Sequence, residues 1–440
     1  MPSSRRAFLA TSVSAAIAAP AIVRGRNLNS KLNYAGIGVD GKGMSDVIEM
    51  TNHKQVHPVA YCDVDLNRTV KARKKHPHAK IFQDYREMFA KLGDQVDAVT
   101  VSTPDHTHAI ISMDVMALGK HVYCQKPLTR TVWEARQMRL AAKKSGVVTR
   151  MGNQIHSHTA YRSFVQFFQS GALGQAKEVH SWIGTTGAGR SGFYDRPDKH
   201  DPVPETLDWN LWVSGAPMRP FAGLNIYHPR NWRDWIDFGS GALGDFGCHI
   251  FDPVYTALKI TGDPISVRAK SKGMNREVWP EQETVEYVLP GTEYTTGKRL
   301  KVTWYDGGRT PGEEITQLAP GQKFPNRGGS VIVCEGGNII VPHVATPFTN
   351  KPEIKIPAVP GLNHYHGWVD GCLSGKQPSD GFEYGGHLTE AVQLGNVAAH
   401  FSGQTLKFDA KALKVPNLPA ANKLLTRQYR DGFEVKPVAS

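Results

Sequence analysis

Cysteine is scarce: Cys62, Cys124, Cys248, Cys334 and Cys372 are the five in 440 residues, and none forms a CxxC pair. That excludes a zinc ribbon and a dithiol redox motif. The odd count leaves at least one free thiol, and the cysteines read as small buried hydrophobes. Long apolar runs are also missing. The alanine-rich stretch ending at Val23 is broken by Ser12, Ser14 and Pro20, which argues against a membrane span. Basic runs are short as well. The formal charge is +12, yet no Lys/Arg run exceeds Arg73-Lys74-Lys75. Nucleic-acid binding lacks its basic stripe, and the excess reads as a field that draws an anionic cofactor or substrate. His364 and His366 have no carboxylate or cysteine at metal-ligand spacing, so no metal site is expected. No repeat or disordered linker is found.

What is present suffices for two domains, each with its own core. Residues 1–25 carry Arg5-Arg6, then Phe8-Leu9 and a mild apolar run, the pattern of a twin-arginine export signal. A periplasmic or secreted protein is expected. That route carries folded chains and suits one that takes up its cofactor first.

Gly36-x-Gly38-x-x-Gly41 lies between a strand pattern and an amphipathic helix, Met44 to Met50. The context reads as a dinucleotide site: Gly36 for the turn, Gly38 for close approach of the pyrophosphate, Gly41 for helix–strand packing. A second strand, from His57 to Cys62, ends at Asp63, placed to bond the ribose hydroxyls of NAD. Arg68 lies close enough to soften the exclusion of NADP, and Asp63 could instead cap a helix. Strand Val96 to Val101 runs into Thr103, Pro104 and His108, and strand His121 to Cys124 into Gln125-Lys126-Pro127. Both ends fall on the sheet edge where α/β proteins bind ligands.

Farther on, Gly241-Ala-Leu-Gly-Asp245-Phe-Gly-Cys-His249 places an acid and an imidazole one helical turn apart. Such a pair can orient the ring and tune its basicity for proton transfer, although a packed helix N-terminus would show the same residues. The stretch from 191 to 238, with Trp209, Trp212, Tyr227, Asn231, Trp232, Arg233 and Trp235, fits sugar recognition by ring faces and planar polar groups. Any single tryptophan there reads more simply as a cap on the sheet. Gln154 and His364 complete the candidate substrate contacts. The strand patterns between 267 and 334 alternate and predict an open, mainly antiparallel sheet with one covered face.

Taken together, Gly36-x-Gly38-x-x-Gly41, Thr103-Pro104-x-x-x-His108, Gln125-Lys126-Pro127 and Asp245-x-x-x-His249 resemble the Gfo/Idh/MocA oxidoreductase family over nearly the whole chain from about residue 31. The resemblance implies a cofactor role for the Thr103–His108 loop and catalytic roles for Lys126, Asp245 and His249. Lys126 would assist the substrate hydroxyl while the Asp245/His249 pair handles the proton. Gln125 departs from the family's usual Glu, which removes a negative neighbour and would leave the Lys126 amine easier to deprotonate.

The expected fold is α/β: a signal over 1–25, a Rossmann domain over 31–150, an α+β substrate domain over 151–415 and a tail over 416–440. The expected activity is hydride transfer between a sugar or polyol and a tightly bound NAD, with NADP the lesser option, in a homo-oligomer. Alternatives are a redox-neutral glycoside-cleaving or epimerising cycle on the same NAD, and a non-catalytic sugar binder.

Overall fold

The computed structural model describes residues 31–184 and 195–438; the expected export signal and its Arg5-Arg6 pair lie outside them. The first domain alternates strand and helix: β1 (Leu32–Ile37), α1 (Lys42–Thr51), β2 (Val56–Cys62), α2 (Val70–Lys75), β3 (Lys80–Phe82), α3 (Tyr85–Leu92), β4 (Ala98–Val101), α4 (Asp105–Ala117), β5 (His121–Gln125), α5 (Val132–Ser145) and β6 (Thr149–Gly152). The strands pair in parallel in the order β3-β2-β1-β4-β5-β6. All four residues of β4 are buried, as a central parallel strand covered on both faces requires. Helix α5 is delimited by local chemistry: a Thr131/Glu134 capping box starts it and left-handed Gly146 ends it.

The second domain continues with α6 (Thr159–Gln169), β7 (Ala176–Ile183), α7 (Trp209–Val213), α8 (Gly241–Ala257), β8 (Ser266–Lys272), β9 (Gln282–Pro290), β10 (Arg299–Tyr305), α9 (Glu313–Thr316), β11 (Gly328–Cys334), β12 (Asn338–Pro342), β13 (Phe348–Thr349), α10 (His364–Ser374), α11 (Phe382–Ala399) and β14 (Thr405–Lys407). Its eight-stranded sheet runs β13-β12-β11-β7-β10-β9-β8-β14, antiparallel except where β7 meets β10. Every second residue of β9 is buried, so one face carries the core. Helices α8 and α11 pack on that face, with Leu243, Ile250, Val254, Leu388 and Val392 in one apolar cluster with Val285 and Leu289.

Helix α10 crosses back to the first domain. Tyr365, Trp368, Val369 and Cys372 pack with Leu32, Tyr34, Val47 and Tyr123, so a segment late in the sequence covers one face of the first sheet. The Arg150–Asp380 ion pair, 2.8 Å and buried, fastens the same crossing. The tail after β14 also returns to the first domain. All five cysteines are free buried thiols. Among the described residues no helix is long and apolar enough to cross a membrane.

Candidate active site

A cleft of about 650 Å³ runs along the carboxyl edge of the first sheet and under α8. At the β1–α1 loop Gly38 has φ +76°, and a Cβ there would stand 2.6 Å from the Ser102 carbonyl oxygen. The loop can approach its neighbours, and a phosphate, only with glycine at this position. The packing role expected of Gly41 falls to Gly43 instead. A Cβ on Gly43 would collide with the Gly38 carbonyl, whereas Gly41 meets nothing nearer than 3.7 Å. Gly36 lies within β1.

Asp63 ends β2 with both oxygens engaged: Oδ2 accepts from the Val39 amide and Oδ1 from the Asp65 amide, each at 3.1 Å. Burial pushes its carboxyl up to about 6. The cap of the following 3-10 turn is Asp65, so the capping reading of Asp63 is set aside. Arg68 lines the cleft, with its guanidinium 3.3 Å from Asp40. Glycines that leave no room for a Cβ, a helix N-terminus behind them and an acid at the end of β2 together fit a dinucleotide.

The other end of the cleft joins both domains. Lys126 Nζ, at the end of β5, donates to Asp245 Oδ1 and to the Asp245 carbonyl, 2.6 Å each. Arg233 Nε lies 3.6 Å from the other Asp245 oxygen. The ring of His249 is oriented by Asn153, a residue the sequence reading passed over, rather than by Asp245 as expected. The Asn153 Nδ2 donates to the Cys248 carbonyl, which turns Oδ1 toward His249 Nδ1 at 2.5 Å. His249 Nδ1 therefore carries the proton and Nε2 is the basic nitrogen. Burial first, then the charges of Lys126 and His343, hold the imidazole well below its ordinary pKa, so it is neutral at pH 7.

Gln125 is explained by a carboxylate from elsewhere. Its Nε2 donates to Asp46 Oδ2 at 2.7 Å, and the fully buried Asp46 also accepts from Lys42, Ser102 and Tyr365. The negative partner of Lys126 itself is Asp245. Asp105, which opens α4 in the cleft beside these groups, has its carboxyl pushed up to about 7 by burial.

Thr103, Pro104, Gln154, Trp232 and Arg233 line the cleft, with the Arg233 guanidinium 4.2 Å above the Trp232 ring. Two expected contacts are corrected, and the place of His108 is specified. Asn231 is bonded through Nδ2 to the Asn225 carbonyl, so it braces its own loop. His364 lies buried beside Ser157, the Met151 carbonyl and Asp380, because α10 packs on the first sheet instead of over the cleft. His108 reaches the cleft wall, but both ring nitrogens are spent on the Pro127 and Thr103 carbonyls at 2.8 Å. It clamps the Thr103 loop to the Pro127 turn at the cleft wall. Burial opposes its protonation, but Cys124 and the two carbonyls outweigh it and raise the pKa. The tryptophans divide in the same way: Trp209, Trp235 and Tyr227 pack with Trp212 and Phe238 as a core of their own, while Trp212 and Trp232 also reach the cleft.

Two family models match this chain. One, described as oxidoreductase family, NAD-binding Rossmann fold, covers residues 32–153, and the other, the family's C-terminal alpha/beta domain, covers 166–290. The chain belongs to the Gfo/Idh/MocA oxidoreductase family. Among its relatives are a scyllo-inositol 2-dehydrogenase (NADP(+)) of Bacillus subtilis, 26% identical over 46% of this chain and 50% of that protein, and a levoglucosan dehydrogenase of Pseudarthrobacter phenanthrenivorans, 28% identical over 36% and 32%. The chain spans about half, or less, of the length of the curated relatives it matches. In three dimensions it is similar to an aldose-aldose oxidoreductase from Caulobacter crescentus complexed with glycerol. The TM-score is 0.55 and the identity 17%, over 86% of this chain and 100% of that one.

Proposed function

We propose that this chain is an NAD-linked oxidoreductase acting on a sugar or polyol hydroxyl, with Lys126, Asp245 and His249 as its catalytic residues. The observation that carries the reading is the convergence of Lys126 from one domain and a neutral, tautomer-fixed His249 from the other on the cleft that begins at the glycine loop. The dehydrogenase names of the relatives support the substrate class. When bound, the nicotinamide supplies the hydride acceptor. His249 Nε2 takes the hydroxyl proton, and Lys126 stabilises the charge that develops on the same oxygen. Asp245 holds the Lys126 ammonium in place, and Arg233, Trp232 and Gln154 border the substrate. Asp63, with Arg68 occupied by Asp40, favours NAD over NADP.

Export by the twin-arginine route belongs to the proposal and rests on Arg5-Arg6 and the run that follows. Outside the cytoplasm free NAD is scarce, so a retained cofactor and a closed redox cycle follow from export. Asp105, whose carboxyl burial pushes up to about 7, lines the same cleft and would be the second proton carrier that such a cycle uses. Washed and then denatured protein should release near-stoichiometric NAD. Lys126→Ala should retain the nucleotide and lose turnover by at least about 100-fold. Wild-type turnover by Lys126→Ala would sink the assignment.

A further inference from the structure

The strand order turns the cleft into a ruler. Lys126 stands at the end of β5, Ser102 and Thr103 at β4, the glycine loop at β1, Asp63 at β2, and Gln83 to Arg86 just past β3. Four steps of about 4.8 Å separate β5 from β3, an extent of ~19 Å. With the chemistry at the β5 end and the pyrophosphate loop at β1, the adenosine half of a dinucleotide belongs at the β2–β3 end.

That end is closed by chain from outside the first domain. A segment before α7 zips onto the loop after β2: the Leu66 amide donates to the Thr206 carbonyl and the Asp208 amide to the Val64 carbonyl, both 2.9 Å. His228 Nε2 adds a 3.0 Å contact to Asp65. Over this roof lies the C-terminal tail. Arg427 and Tyr429 bond the fully buried Glu134, and Arg430 donates to the Ser214 carbonyl at 2.8 Å and to Asn210. Farther along, the Val438 amide donates to Gln137 at 2.6 Å. Between these anchors Phe433 is left half-buried, lining the cleft, with the Arg86 and Arg430 guanidiniums each 5.0 Å from its ring centre. An aromatic ring and a guanidinium side by side are what a purine base stacks on.

We propose that the tail is a latch on the adenosine half of NAD, with Phe433 and Arg86 as its contact residues, and that it keeps the cofactor from exchanging between turnovers. The proposal rests on the reading of the cleft as an NAD site. It gives retention a physical origin: release requires the Arg427, Tyr429 and Arg430 anchors to open, not the glycine loop.

The test is release of bound NADH from the full-length holoprotein, followed by its fluorescence after a chase with excess NAD. Phe433→Ala is expected to release at least tenfold faster than wild type, and Phe433→Trp to restore slow release. Arg430→Ala, which removes the bonds to Ser214 and Asn210 and the contact with the Phe433 ring, should also accelerate release and keeps the test decisive if Phe433→Ala does not fold. Wild-type rates in both Phe433→Ala and Arg430→Ala would overturn the latch. If the wild type is recovered without nucleotide, the comparison becomes the Kd for added NADH. A Kd unchanged by Phe433→Ala then overturns the latch and leaves the NAD reading standing. Failure of the wild type to bind NADH at all overturns both.

Discussion

Asn153 and His249 are 96 residues apart in sequence, and their bond decides which imidazole nitrogen can act as a base. Replacing Asn153 with Ala frees the ring to take the other tautomer, and turnover should drop about 10²-fold while NADH still binds. Asn153→Asp keeps an acceptor on Nδ1 but adds a negative charge, which favours the imidazolium. The acid limb of the pH–rate profile should then move to higher pH, and an unmoved limb would refute the tautomer argument. Asp46 offers a second residue-scale test. Asp46→Asn strips the carboxylate from buried donors and should cost about 3–5 kcal/mol in urea unfolding, whereas adding Gln125→Glu should return part of that loss. The chemistry of these positions was only half legible in the sequence. Four-residue spacing put Asp245 and His249 on one helix, but which distant group each would meet depends on how two sheets are brought together. Asp245 found Lys126, and His249 found Asn153, to which the sequence reading gave no role.

Among the elements, those with a regular pattern were legible. Alternation gave β8 to β10, and the buried run of β4 and the glycine-punctuated β1–α1 unit marked the Rossmann half. Helix α10 carries an apolar stripe in Trp368, Val369 and Cys372, but its partner was not legible, since such a stripe does not say which sheet it covers. Hence His364 was expected at the substrate and lies instead under the first sheet. Trp368 is fully buried there against Tyr123, with ring centres 5.7 Å apart. Trp368→Ala should destabilise the first domain by about 3–5 kcal/mol. Loss of NADH binding on heating should track this change, and an unaltered midpoint would place α10 outside the first domain's core. The aromatic loop was legible only in part for a related reason: composition cannot distinguish Trp212 and Trp232, which reach the cleft, from rings that face one another.

At the scale of the whole molecule, the buried histidines set a pH dependence. Burial holds His106 and His364 down to about 3 and His343 and His400 down to about 4. Their neutral forms are accommodated in the fold, so as pH falls below 6.5 the unfolded chain gains protons that the folded chain does not, and stability declines. Asp63 and Asp105, raised to about 6 and about 7, act in the opposite direction, since the fold binds their protons and that contribution is lost as pH rises through those values. The histidines are in excess between about pH 4.5 and 6, and each unbalanced proton is worth on the order of 1.4 kcal/mol per pH unit. The urea midpoint should therefore be lower at pH 5 than at pH 7, and equal midpoints would contradict the balance. Lys126 and Asn153 come from one domain, Asp245 and His249 from the other, so under the proposed mechanism neither half holds a complete proton-transfer set. A chimera that joins this first half to the second half of another family member would inherit a nucleotide cleft and a helix-backed sheet, yet remain inert unless the incoming acid and imidazole met Lys126 and Asn153 in register.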